Sequence, residues 1–239
     1  MSGAKYAHLA PMRAPVVLPA IGTHRASVIW SHGLGDSAEG WTDFADQVRR
    51  IVPGSKWIVT NAPLRAVTVN NGMKMPAWFD VKRIGGGPAH EDVEGMLASI
   101  ESIQSLVEQE VANGIEREKI VIGGFSQGGI LSLLTGLTSE KKLGGIAVLS
   151  GYLGLTHEDK IKSLLSPYAT STPMFVAHGT DDAVISHDKA EKSVKYLAEE
   201  LGLKDNLEWR SYDGLGHNLG RQEMRDFIEW LQTVLKEEK

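Results

Sequence analysis

Short apolar runs and longer amphipathic stretches take turns along this chain. Ser27-Val28-Ile29-Trp30-Ser31, Trp57-Ile58-Val59-Thr60, Lys119-Ile120-Val121-Ile122-Gly123 and Leu207-Glu208-Trp209-Arg210-Ser211-Tyr212 read as strands. Gly145-Ile146-Ala147-Val148-Leu149-Ser150 and Pro173-Met174-Phe175-Val176-Ala177-His178 are apolar without alternation, the pattern of parallel strands buried on both faces. Between the runs, apolar residues recur at helical spacing. Trp41, Phe44, Val48 and Ile51 precede the stop at Pro53-Gly54. Val93, Met96, Leu97, Ile100, Ile103, Val107 and Val111 form one stripe of a helix from Glu91 to Val111, closed by Asn113-Gly114. Ser186 is expected to cap a helix that buries Ala190, Val194, Leu197 and Leu201 and ends at Gly202. Met224, Phe227, Ile228, Leu231 and Leu235 mark the last helix. Strands alternating with amphipathic helices predict a single α/β domain over residues 1–239, with a mostly parallel central sheet and helices on both faces. Pro11, Pro15 and Pro19 around Val16-Val17-Leu18 predict an edge strand at the start. Leu64 to about Ala89 reads as a long irregular loop, of the kind more often functional than idle.

Composition narrows the function. The chain is 42% hydrophobic and 23% charged, ordinary for a folded protein. Net charge is −5 and no basic run stands out, so no nucleic-acid partner is expected. There is no cysteine, which excludes disulfides, thiol nucleophiles, thiolate metal sites and S-acylation of this chain. The first residues carry no apolar signal segment and no glycine at position 2, and no apolar run reaches the length of a membrane span. A cytoplasmic location, with the nucleus also open, is the expectation.

The chemistry is concentrated at Gly124-Phe125-Ser126-Gln127-Gly128, entered by a β-type run and left by a helix-compatible one. That is the context of a G-x-S-x-G nucleophile elbow, in which a tight turn presents serine above a helix N-terminus. A serine hydroxyl needs a base to take its proton and an acid to hold that base. In α/β-hydrolases these follow in the order Ser, Asp or Glu, His. Of the histidines after Ser126, His157 lies in a charged loop, His178 is still at a strand end, and His187 begins a helix. His217, in Asp213-Gly214-Leu215-Gly216-His217-Asn218 between the last strand and helix, is the expected base. The acid should be Asp181 or Asp182, just past the strand ending at His178; spacing does not separate them. Oxyanion donors are expected from the backbone N–H groups of Gln127 and, in His32-Gly33-Leu34-Gly35, of Leu34. Gly33, Gly35 and Ala38 also match G-x-G-x-x-A, but the next strand ends in Asn61-Ala62-Pro63 with no acid for a ribose, so no nucleotide is expected. No metal-binding or P-loop motif is present, and no cofactor or metal is expected.

With Ser31-His32-Gly33-Leu34-Gly35-Asp36, Trp41, Asn61-Ala62-Pro63, Met75-Pro76-Ala77-Trp78-Phe79-Asp80, Gly123-Gly124-Phe125-Ser126-Gln127-Gly128-Gly129, His178-Gly179 and Gly216-His217 in place, the chain resembles the acyl-protein thioesterase/lysophospholipase family. The resemblance runs from about Val28 to Leu235 and implies the α/β-hydrolase fold. It implies hydrolysis of fatty-acyl thioesters on cysteines of other proteins, and of lysophospholipids and simple esters, met by transient contact with membrane surfaces. The family pattern His-Gly-Asp-x-Asp-Pro puts the acid on Asp182, and the family's oxyanion donors fall on Leu34 and Gln127. An acyl groove is expected from Val81 and Ile84 of the long loop with Leu34 and Tyr152. Thr180 and Ala183 depart from the pattern, as do Asn218 after the histidine, Tyr152 where some members carry tryptophan, and a basic Lys82-Arg83 loop. The rival readings are a short-chain carboxylesterase of the same fold and a catalytically silent binding module.

Overall fold

Each central strand is buried on both sides, so its residues divide by parity between two cores. In β2 (Ala26–Ser31), Ile29 faces one core while Val28 and Trp30 face the other. The same split runs through β3 (Ser55–Asn61), β6 (Ile120–Phe125), β7 (Gly145–Leu149) and β8 (Met174–Gly179). The computed structural model describes residues 12–83 and 87–236. Its main sheet has the order β1-β3-β2-β6-β7-β8-β9, with β1 (Arg13–Leu18) at one edge and β9 (Leu207–Tyr212) at the other. Only the β1–β3 pairing is antiparallel.

Helices α2 (Val93–Ala112) and α3 (Gln127–Leu137) cover one face, and α1 (Thr42–Ile51) and α6 (Arg221–Val234) cover the other. Every residue of α3 is buried, because it lies between the sheet and α2. The α1/α6 side is built around Trp30, whose ring centroid lies 4.9–5.9 Å from those of Trp41, Phe44, Trp57 and Phe227. Such tilted and edge contacts add to the burial of each ring. Short α4 (Lys160–Leu164) and α5 (His187–Lys195) complete the helices, α5 continuing through a π turn over Tyr196–Glu200.

Three expectations change. The stretch after Asn61 is not irregular throughout: β4 (Leu64–Val67) and β5 (Met73–Pro76) pair as an antiparallel hairpin. Asn71-Gly72 turns it with φ of 56° and 74°, a conformation that these two residue types supply more readily than others. Helix α2 starts at Val93, because Asp92 accepts the Gly95 N–H at 3.0 Å and so serves as its cap. Ser186 stands before α5 but makes no side-chain capping bond. Ile84 and Pro11 lie outside the described residues, as do the first residues read for a signal segment.

The strand order reverses beside β2, with β3 on one side of it and β6 on the other. Loops leaving the C-terminal ends of β2 and β6 therefore diverge over a crevice, the usual ligand position in open α/β sheets. A cavity of about 610 Å³ at the opposite strand ends, lined by Ala26, Gly54, Ser55 and Lys119 among others, contains none of the expected site residues. Among the described residues no helix is long and apolar enough to cross a membrane.

The start of α6 carries a buried acid. Glu223 Oε2 accepts the Gly220 N–H at 3.1 Å, while Oε1 is enclosed without a partner. Burial first, and the nearby Asp182 charge, push its carboxyl up from 4.5 to about 7. A raised acid binds its proton more tightly in the folded state, so its contribution is full near pH 4.5 and is lost as pH climbs through 7. The loss amounts to about 3 kcal/mol. Glu223→Gln should therefore gain on the wild type between pH 5 and pH 8 in urea unfolding; an unchanged difference at the two pH values would refute the assignment. Phe227→Ala, which empties the centre of the aromatic cluster, should cost about 3–5 kcal/mol in the same measurement.

Candidate active site

Ser126 follows β6 and precedes α3 with φ 53° and ψ −119°, a region that side-chain-bearing residues seldom occupy. The strain is held by two close approaches. A Cβ on Gly124 would lie 2.5 Å from Ser31 O and from Gly128 C, and one on Gly128 would lie 2.0 Å from Ser31 O. The elbow thus presses directly on the end of β2. The hydroxyl is set 2.9 Å from His217 Nε2. His217 Nδ1 in turn lies 2.6 Å from Asp182 Oδ2. A carboxylate only accepts, so Nδ1 carries the proton and Nε2 is free to accept the Ser126 O–H. The ring of His217 leans on Phe125, centroids 4.8 Å apart.

Asp182 and Asp181 have different fates. Asp182 is 6% exposed, and its Oδ1 accepts the N–H groups of Val184 and Ile185, both at 2.8 Å. Asp181 is exposed, although its N–H reaches Leu215 O at 3.0 Å. The turn after β8 and the His217 loop are in fact packed backbone to backbone. A Cβ on Gly179 would lie 2.0 Å from Leu215 O, so only glycine permits that approach. Thr180, one of the departures noted above, helps here: its hydroxyl accepts the Gly214 N–H at 2.9 Å.

The expected oxyanion donors also converge on Ser126. Gln127 is the first residue of α3, and its N–H makes no intrahelical bond. The His32–Leu34 loop lies alongside, with a Cβ on Gly33 falling 3.4 Å from Ser126 Cβ. Among the described residues no backbone carbonyl accepts the Leu34 N–H. The Gly33–Leu34 peptide is fixed from its carbonyl side. His32, fully buried, donates from Nδ1 to Gly33 O at 2.6 Å and accepts the Ala62 N–H on Nε2 at 3.1 Å. Burial holds that imidazole below its ordinary pKa, as the neutral form requires. Trp78 Nε1 donates to His32 O at 2.8 Å. The Gln127 side chain accepts the Trp78 N–H at 2.9 Å and donates to Phe79 O at 2.8 Å. Elbow, oxyanion loop and the segment after β5 are one hydrogen-bonded unit.

The parts of the expected acyl groove are less closely joined. Val81 is half-buried, its carbonyl accepting the Val69 N–H at 2.8 Å. Tyr152 packs against the α2-side core with Lys189 Nζ 3.5 Å from its ring centroid. Its hydroxyl is pushed up to about 12 by burial and by the Glu91 carboxylate. Neither side chain is hydrogen-bonded to the triad, and Ile84 is outside the described residues. Sequence reading gave no supporting role to the side chains of His32, Trp78 and Gln127, or to His178, which lies 3.2 Å from Asp182. The available signal was the dipeptide His-Gly, which ends an apolar strand at both His32 and His178. Among the described residues no group of three or more His, Asp or Glu side chains could hold a metal ion.

Such a triad, with the Gln127 and Leu34 backbone on the adjoining segments, can form and break an acyl-serine bond. Comparison with known proteins agrees with that chemistry. The model of the phospholipase/carboxylesterase family matches residues 12–235. Acyl-protein thioesterase 1 of Yarrowia lipolytica is 42% identical over 229 residues, covering 95% of this chain and 100% of its own. Among solved structures, acyl-protein thioesterase 2 of Zea mays superposes with a TM-score of 0.81 at 29% identity, covering 93% of this chain and 99% of that one. SOBER1 of Arabidopsis thaliana gives 0.80 at 32%, covering 89% and 100%. The chain is an α/β-hydrolase and belongs to the phospholipase/carboxylesterase family.

Proposed function

We propose that this protein hydrolyses fatty-acyl thioesters on cysteines of other proteins, and lysophospholipid and simple carboxylic esters, through an acyl-enzyme on Ser126. The observation that carries the proposal is the unbroken relay from Ser126 Oγ to His217 at 2.9 Å and from His217 to Asp182 at 2.6 Å. His217 Nε2 takes the hydroxyl proton as Ser126 attacks the carbonyl carbon. The Leu34 and Gln127 N–H groups receive the negative charge on the carbonyl oxygen, and Asp182 stabilises the imidazolium. His217 then protonates the departing thiol or alcohol, and the acyl group stays on Ser126. Water, deprotonated by the same nitrogen, attacks in turn; the fatty acid leaves and Ser126 recovers its proton.

The thioester reading draws on relatives named acyl-protein thioesterase on two counts, sequence and structure. A chain without cysteine cannot be its own acylated substrate, so the thioester belongs to a partner. Each methylene of the acyl chain buried near Val81, Leu34 and Tyr152 would add about 0.8 kcal/mol of binding. Cytoplasmic membrane surfaces, where lipidated proteins and lysophospholipids meet water, are where this enzyme would work. The carboxylesterase part of the family description favours a second reading, an esterase for short acyl chains.

Two measurements test the proposal. Ser126→Ala and His217→Ala should each lower kcat by on the order of 10⁴–10⁶-fold. Asp182→Asn should cost about 10³–10⁴-fold and exposed Asp181→Asn about twofold or less. Equal losses at the two aspartates would remove Asp182 from the triad. Separately, kcat/KM for a palmitoylated cysteine peptide should exceed that for lysophosphatidylcholine, with Ser126→Ala as the blank. Activity that falls steadily with acyl length would select the short-chain esterase instead. No turnover, with Ser126 unlabelled by a fluorophosphonate, would leave a silent binding module.

A further inference from the structure

His178 lies at the end of β8, wholly enclosed, behind Asp182 as seen from Ser126 and His217. Its Nε2 is 2.8 Å from Ile185 O and 3.2 Å from Asp182 Oδ2. A carbonyl oxygen can only accept, so Nε2 bears the proton and donates it to Ile185 O, with the Asp182 carboxylate beside that N–H. Nδ1 is then an acceptor, and among the described residues it is buried with no donor. Burial lowers the tendency of this ring to take a second proton.

A histidine serving only as core filler would be a poor choice here. Leaving a buried acceptor unmet is unfavourable, and an apolar side chain of similar volume avoids it. What the imidazole supplies, and leucine cannot, is an N–H that holds the Ile185 carbonyl and lies 3.2 Å from the Asp182 carboxylate. The acid itself accepts the Val184 and Ile185 N–H groups on Oδ1 and His217 on Oδ2. Ile185 is gripped twice, its N–H by Asp182 and its carbonyl by His178, which closes the turn that carries the acid.

Resting on the acyl-transfer reading above, we infer that His178 is a positioning residue of the reaction, a neutral donor to Ile185 that fixes the turn carrying Asp182 and sets a polar N–H beside Oδ2. With that dipole replaced by an apolar group, the carboxylate holds the His217 imidazolium more strongly, so the free base that attack requires appears only at higher pH. Other titratable groups face this pair. His187 of α5 has its ring centroid 6.3 Å from that of His178, Glu223 of α6 lies near Asp182, and Asp181 adjoins it on the exposed side. They are unchanged between wild type and variants, so a difference in profile reports on position 178.

The test uses the full chain with kcat and KM measured from pH 5 to 9, each rate divided by active sites titrated with a fluorophosphonate. His178→Leu should lose about 10- to 100-fold in kcat, the rate equivalent of leaving the buried Ile185 carbonyl without its donor. KM should stay within about twofold, and the acidic limb of kcat/KM should move up by about half a pH unit or more. His178→Gln, whose amide reaches the place of Nε2, should recover most of the rate and return the limb. His178→Asn, too short to reach, should behave like the leucine variant and replaces it if leucine does not fold. Unchanged kcat per titrated site with an unmoved acidic limb, even in a less stable variant, would overturn the inference and leave His178 a core residue. Persistence of turnover in Ser126→Ala would instead strike the acyl-transfer reading itself, so the two failures are distinct.

Discussion

The site depends on one steric constraint: the backbone at Gly128 must lie against the carbonyl at the end of β2. With any side chain at 124 or 128 the start of α3 would be pushed off the sheet, because the nearest atoms are main chain and cannot rotate away. That contact holds Ser126 at φ 53°, lifts its hydroxyl above the sheet edge, and leaves the first N–H groups of α3 beneath it. It also brings the loop after β2 beside the nucleophile, which is why oxyanion donors can come from two distant parts of the chain.

Around this contact the site is assembled in two halves, each with a buried histidine followed by glycine. His32 at the end of β2 orients the Gly33–Leu34 peptide by holding its carbonyl, and His178 at the end of β8 holds the acid turn. In both cases an imidazole makes fixed bonds in surroundings that keep it neutral. The residue proposed to take up and release the proton is a third histidine, His217, on a partly open loop. Fixed neutral histidines behind a mobile proton are a consistent design, since catalysis by preorganised dipoles needs groups that do not reorient as charge develops.

Buried acids elsewhere in the interior differ in how they are compensated. Glu110, 2% exposed, is met by Lys56 and the Ser27 hydroxyl at the strand starts, far from the crevice. Glu223 is enclosed beside the negative Asp182 with one oxygen unmatched among the described residues, which favours its protonated form. Its position in the first turn of α6 puts it immediately after the His217 loop. The acidity of that helix start therefore enters the electrostatics of the triad through Asp182.

The amino-acid sequence by itself determined the architecture and singled out Ser126 as the candidate nucleophile. Runs such as Gly145–Leu149 are apolar at every position, which only a strand buried on both faces tolerates, and the glycines around Ser126 dictate a tight strand-to-helix turn. Asn71-Gly72 is a turn signal for the β4–β5 hairpin, but its strands are only four residues each, too short to show a clear alternation. Two matters were left to the tertiary structure. Asp181 and Asp182 are chemically identical neighbours, and only the turn that the Ile185 and Val184 N–H groups close around one of them separates buried acid from exposed one. His32, His178 and the Gln127 amide act through contacts with residues up to 49 positions away, as from Gln127 to Trp78. Such contacts leave no periodic trace in a sequence, because they depend on where separate strands end in space and not on the spacing of residues along one of them.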